Sequence, residues 1–192
     1  MIHTVLNKVA DSFNNFLLPQ SGVGSAGLFQ LIVGDISKHE KENDSDGNDS
    51  IENNIVLTLV NIEEENSLKN NYPIRQEDTA FITQKPTLYL NLYLLFTANF
   101  TVYEESLKHL GYVLQFFQKE NKISFTDTFG NTYNLLFSLH NIGFENMNNL
   151  WMVLGNRYIP SVIYKVRLVF IQEAPPVRGT VITAIDTNEQ LN

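Results

Sequence analysis

The sequence contains no cysteine. That removes disulfides, thiolate metal sites and cysteine nucleophiles together, and it suits a protein made in the cytoplasm. Cations are also scarce: 13 Lys and Arg stand against 21 Asp and Glu, for a formal net charge of −8. Phosphate recognition needs clustered Lys and Arg, so nucleic acid is not an expected partner. No apolar run approaches the ~20 residues of a membrane span. The first residues are amphipathic rather than a charged region followed by an apolar block, so neither a membrane anchor nor a signal peptide is expected. The few prolines, at 19, 73, 86, 160, 175 and 176, fall between apolar segments, where their missing amide donor and fixed φ end regular structure.

What is present is a chain of 192 residues, long enough to bury ~70% of its unfolded surface without a staple. Ile2, Val5, Leu6, Val9, Phe13, Phe16 and Leu17 recur at helical spacing and predict a helix over 2–17. Residues 28–37 read as a strand, and 38–49, "KHEKENDSDGND", as a solvated loop. In 54–64, Ile55, Leu57 and Leu59 alternate with Val56, Thr58 and Val60. Both faces are apolar, which places this strand inside a sheet. Residues 65–86 are polar and read as a long loop. Residues 87–98 form a second strong strand, with Leu88, Leu90, Leu92, Leu94 and Phe96 opposite Tyr89, Asn91, Tyr93 and Leu95. Thr101 with Glu104 has the spacing of a capping box. Tyr103, Leu107, Leu110, Leu114 and Phe117 then form the expected buried stripe of a helix to about 119. Strands are expected at 122–127 and 133–139. Phe144, Met147, Leu150, Trp151 and Leu154 predict a short helix closed by Gly155, with Trp151 in the core, and a last strand runs through 161–171. The order α-β-β-β-α-β-β-α-β predicts an α+β fold with a largely antiparallel sheet and helices packed on one side. Residues 1–172 form one domain, and 173–192 a C-terminal arm set off by Pro175 and Pro176.

The motifs with chemical meaning fail their context. "GVGSAG", 22–27, has dinucleotide-site spacing but follows a helix and precedes a strand, the reverse of what presents a helix N-terminus to pyrophosphate. "ENDSDGND" lacks the closing glutamate and the flanking helix of a calcium loop. His3, His39, His109 and His140 have no metal-ligand spacing. Catalytic residues, metal ligands and cofactors are therefore all expected to be absent, and the protein is not expected to be an enzyme.

The residues left to carry function are candidates for an interface. Lys165 and Arg167 occupy the middle of the last strand, on a face they share with Ile163, Val169 and Ile171. Two cations there, in an acidic protein, fit docking against an acidic surface. Arg157 and Tyr158 lie in the turn before that strand, where they can hold a neighbouring subunit. In the arm, Val181, Ile182 and Ile185 belong to "TVITAI", a β-prone apolar segment suited to adding as a strand to a partner.

Three longer units resemble a known family. They are "LTLVNIEEE" from 57, "YLNLYLLFTANF" with "YEESL" from 89, and "NNLWMVLGNRYIPSVIYKVR" from 148. With the opening "MIHTVLNKVADSFNNFL", the chain resembles the tail-terminator-like cap proteins of extracellular contractile injection systems, phage-tail-like particles of the antifeeding-prophage and virulence-cassette type. The similarity runs through most of 1–172 and is weakest at 20–53. It implies a structural protein without catalytic residues. Six copies would form a homohexameric ring on the end of the inner tube, engage the last layer of the contractile sheath and stop both from polymerising. The partners implied are other copies, the tube protein and the sheath protein; the place implied is a particle, released or retained. The alternative is a non-enzymatic adaptor of the same kind of particle that forms no ring.

Overall fold

The computed structural model describes residues 2–18, 29–38, 51–65, 74–77, 80–83, 88–128, 130–155, 157–171 and 177–180. For 74–77, 80–83, 88, 169–171 and 177–180 it describes the backbone. In chain order the elements are α1 (Ile2–Leu17), β1 (Leu31–Val33), a 3-10 turn (Ile36–Lys38), β2 (Asn54–Glu64), β3 (Ile74–Glu77), β4 (Ala80–Thr83), β5 (Leu88–Asn99), α2 (Tyr103–Lys119), β6 (Lys122–Thr126), β7 (Thr132–Leu139), α3 (Phe144–Val153), β8 (Ser161–Ile171) and β9 (Val177–Thr180).

Six strands form one sheet in the order β1-β2-β5-β8-β7-β6. β1 runs parallel to β2 and every other pairing is antiparallel, so the α+β sheet is mixed rather than purely antiparallel. On one face β2, β5 and β8 are apolar; on the other they are apolar at Val56, Leu95 and Ile163 and polar at Asn91, Lys165 and Arg167, and helices cover the apolar parts of both. α1 and α2 lie on one face, where Val5, Val9, Phe13, Val113, Phe116 and Phe117 pack with Leu57, Leu94, Phe96, Val166 and Leu168. The aromatic rings of Phe13, Phe116, Phe117, Phe96 and Tyr164 interlock at centroid distances of 4.5–5.7 Å. The alternate residues Val56, Leu95 and Ile163 face the other way and meet Trp151 of α3. The one-sided helix arrangement therefore holds for α1 and α2 only. α3 adds a third layer because residues one step along each strand point to the opposite side.

Three local expectations are corrected. The strand expected at 28–37 is only three residues long. At Asp35 the carboxylate accepts from the Ser37 amide at 3.0 Å and hydroxyl at 2.7 Å, an Asx turn that diverts the chain into the 3-10 turn. The capping box at Thr101 does not form: the N-cap is Val102, without a side-chain cap. Thr101 instead gives its amide and hydroxyl to Asn53 Oδ1, at 3.2 and 3.3 Å. Asn53 holds φ +55°, a left-handed conformation that asparagine tolerates better than most residues. The loop expected at 65–86 contains β3 and β4, paired antiparallel with Glu77 opposite Ala80. The arm contributes β9, which adds antiparallel to β4 and makes a second, three-stranded sheet.

The β1 edge is closed by α1. Asn14 donates to the Leu31 carbonyl at 3.1 Å and accepts from the Leu31 amide at 2.7 Å, so one side-chain amide satisfies both outward backbone groups there.

Candidate functional site

Three surfaces stand out among the described residues. The first is the open half of the sheet face that carries α3. The register sets Arg167 opposite Asn91 and Lys165 opposite Tyr93 on β5, and opposite Leu136 and Ser138 on β7. On the far side of β5, Glu63 faces Asn91. The cations are thereby brought beside the acidic end of β2. Arg167 Nη2 lies 3.9 Å from Glu65 Oε2, an oxygen that also accepts from Asn91 Nδ2 at 3.0 Å. Tyr93 donates its hydroxyl to Glu63 at 2.8 Å, and the Lys165 ammonium sits 6.0 Å from the Tyr93 ring centre, at the limit of a cation–π contact. The Glu63 hydrogen bond, then burial and the charges of Glu63 and Glu65, raise the Tyr93 phenol above its ordinary 10.0. The face is a polar network, with the exposed apolar side chain of Leu136 directly beside Arg167.

The second surface is α3 and the turn after it. Trp151 is core, 4% exposed, as expected. Its outer edge, with Phe144, Met147, Asn148, Met152 and Tyr158, lines a groove of ≈ 460 Å³. Phe144 was expected on the buried stripe but is 96% exposed; it opens the helix, one turn before the first residue that reaches the sheet. Tyr158 stands edge-on to Trp151 at 6.0 Å, and Arg157 beside it is exposed. Gly155, at φ +66°, donates to the Met152 carbonyl at 3.1 Å and closes the helix as its position predicts.

The third surface is one the sequence pattern assigned to the core. α2 buries Ser106, His109, Leu110, Val113, Phe116 and Phe117, an arc centred on Val113. Tyr103, Leu107 and Leu114 lie to one side of that arc and are exposed. The expected stripe was thus right for Leu110 and Phe117 and wrong for the other three. The apolar arc of α2 is wider than the sheet it covers. That excess was visible in the sequence, since Val113 and Phe116 extend the apolar set beyond the five residues of the expected stripe.

Of the interface candidates, the structure gathers Lys165 and Arg167 on the open sheet face, and Arg157 and Tyr158 beside the α3 groove. Val181, Ile182 and Ile185, and the acidic loop at 39–49, lie outside the described residues. Glu63, Glu65, Asn91 and Tyr93 were missed as members of the first surface, because their partnership depends on strand register across three strands. Among the described residues there is no group of three or more His, Asp or Glu able to hold a metal ion, and no helix is long and apolar enough to cross a membrane.

No curated protein sequence matches the chain. Among solved structures, it is similar to the sheath/tube terminator of an extracellular contractile injection system, PVC, in the extended state: TM-score 0.56 at 13% identity, covering 97% of this chain. A second similar structure is the tube-terminating cap of the anti-feeding prophage, with TM-score 0.47 and 15% identity over 70% of this chain and 48% of that one. The chain spans 62% of the length of the first terminator. Residues 13–184 match the Pvc16 N-terminal domain, and the chain belongs to that family.

Proposed function

We propose that this chain is a structural cap. A ring of copies, expected to number six, closes the end of the inner tube and contractile sheath of a phage-tail-like injection particle and ends their polymerisation. The observation that carries the reading is membership of the Pvc16 N-terminal domain family over 13–184. It is supported by a fold shared, over 97% of the chain, with a sheath/tube terminator. The physical need is definite. A tube of stacked rings is a heterologous assembly, which keeps a sticky end until something covers it. Exposed strand edges on sheath subunits pose the same problem, and covering them ends growth. A cap needs a surface for each side of the contact with its own copies, and further surface for the tube and the sheath. This chain offers three: the polar sheet face, the α3 groove and the outer stripe of α2. The reading assigns no catalytic residue and no cofactor.

The test is electron microscopy of particles produced with and without the gene. Loss of the gene should leave tubes and sheaths of unregulated length, and restoring it should return a fixed length. Normal particle length with altered cargo would instead identify an adaptor and sink the cap.

A further inference from the structure

The exposed apolar residues of α2 and α3 occur in two patches on opposite faces of one sheet. α2 lies with α1 over Leu57, Leu94 and Phe96, and α3 lies over Val56, Leu95 and Ile163. A patch shared between two copies by a two-fold axis is used twice by itself, whereas a closed ring of more than two copies needs two different, complementary patches on each copy. From this placement we infer that the outer stripe of α2 in one copy seats in the α3 groove of the next. The inference rests on the cap reading for the ring, and it names the two surfaces that close it.

Shape and charge agree with this pairing. Tyr103, Leu107 and Leu114 form a convex row of about 16 Å along α2, at 1.5 Å per residue. α3 has ten residues, about 15 Å by the same rise, and its groove is lined by Phe144, Met147, Trp151, Met152 and Tyr158. Methionine and aromatic side chains make an adaptable apolar lining for a leucine ridge. Next to the stripe stands Glu104, and next to the groove stands Arg157. Both are exposed, and neither has an ion pair among the described residues. Setting the start of α2 against the end of α3 brings this acid and this base together, and fixes the two helices as antiparallel across the contact. Gly111 adds no side chain between Leu107 and Leu114, and a Cβ there would meet open space, so the ridge is accessible along its length.

The absence of cysteine makes the test clean. Leu107→Cys and Met152→Cys are combined in one chain, and each is also made alone; both sites are exposed, so folding is little affected. A short bismaleimide is then added to concentrated protein and to purified particles. The expected result is a ladder of linked copies from the double variant and none from either single variant. Within one chain the two thiols lie on opposite sides of the sheet and cannot be joined by such a short linker. As a check on polarity, Glu104→Arg and Arg157→Glu should each lower the ladder yield several-fold and together restore it. Linked dimers from a single variant would show a self-paired patch and overturn the inference. So would the lack of any ladder in particles that carry the protein at their ends, although the cap reading would stand. A ladder from protein that is absent from particle ends would uphold the contact and overturn the cap.

Discussion

His109 shows what one buried residue contributes. It is 2% exposed, and its ring stacks on Phe100 at 4.1 Å and meets the edge of Phe29 at 3.8 Å. Nδ1 lies 2.6 Å from the Glu105 carbonyl oxygen. Only an N–H can pair with that carbonyl, so Nδ1 carries the proton, and Nε2 is left without a partner among the aromatic rings. A second proton would put a charged, unsatisfied N–H there. Burial accordingly lowers the pKa below 6.5; the Glu105 carbonyl and carboxylate oppose that shift, and Lys108 adds to it. A histidine whose folded pKa is depressed stabilises the fold above its unfolded pKa. That contribution is lost as pH falls through 6.5 toward the folded value, at no more than about 1.4 kcal/mol per pH unit. Urea midpoints should therefore drop between pH 7 and pH 5 by more in the wild type than in His109→Leu, which keeps every other titrating group. Equal drops in the two proteins would show that the histidine is not held neutral.

At the scale of elements, the prediction concerns β9. Removing 174–192 takes away the strand that pairs with β4 and leaves β3 and β4 as an isolated hairpin, which is marginal in water. The six-stranded sheet keeps all its pairings. Hydrogen exchange should become fast at 80–83 in the truncated protein, while 55–59 and 163–168 stay protected and thermal unfolding of the main domain hardly moves. Protection retained at 80–83 would mean that β9 does not support that hairpin. The same elements explain what the sequence could tell. β2, β5 and β8 were legible because their alternation is strong and their faces differ, and Trp151 was legible as core because α3 is short and its stripe narrow. β4 was not legible, since its four residues carry no long pattern and its partner β9 is about a hundred residues away. Nor was the burial of α2, because helical periodicity identifies an apolar arc but not which part of it the sheet reaches. At the surface, Lys165 and Arg167 were recognisable as a pair out of place, but Glu65 as the neighbour of Arg167 required the register.

At the scale of the whole molecule, a copy carrying a net charge of −8 repels every other copy, and self-repulsion of this kind opposes assembly. Under the proposed cap reading, the cations on the open face weigh more in assembly than in the fold. Lys165 is partly buried beside the Tyr93 ring, and the Arg167 side chain is 45% exposed beside Glu65, so an exposed contact of this kind gives the isolated chain only ~0–1 kcal/mol. In a ring the same small term is repeated in every copy. Lys165→Glu with Arg167→Glu turns the face wholly acidic beside Glu63 and Glu65. We expect the double variant to remain folded, with a thermal midpoint within a few degrees of wild type, and to lower the yield of capped particles well beyond that small loss. The measurement is paired: circular dichroism for the isolated chain, and particle length by electron microscopy for assembly. Particles of normal length and number from the charge-reversed protein would reduce the two cations to a solvated sheet face. A collapse of the isolated chain would make the network with Glu65, Asn91 and Tyr93 a stabilising core of the fold rather than a docking surface.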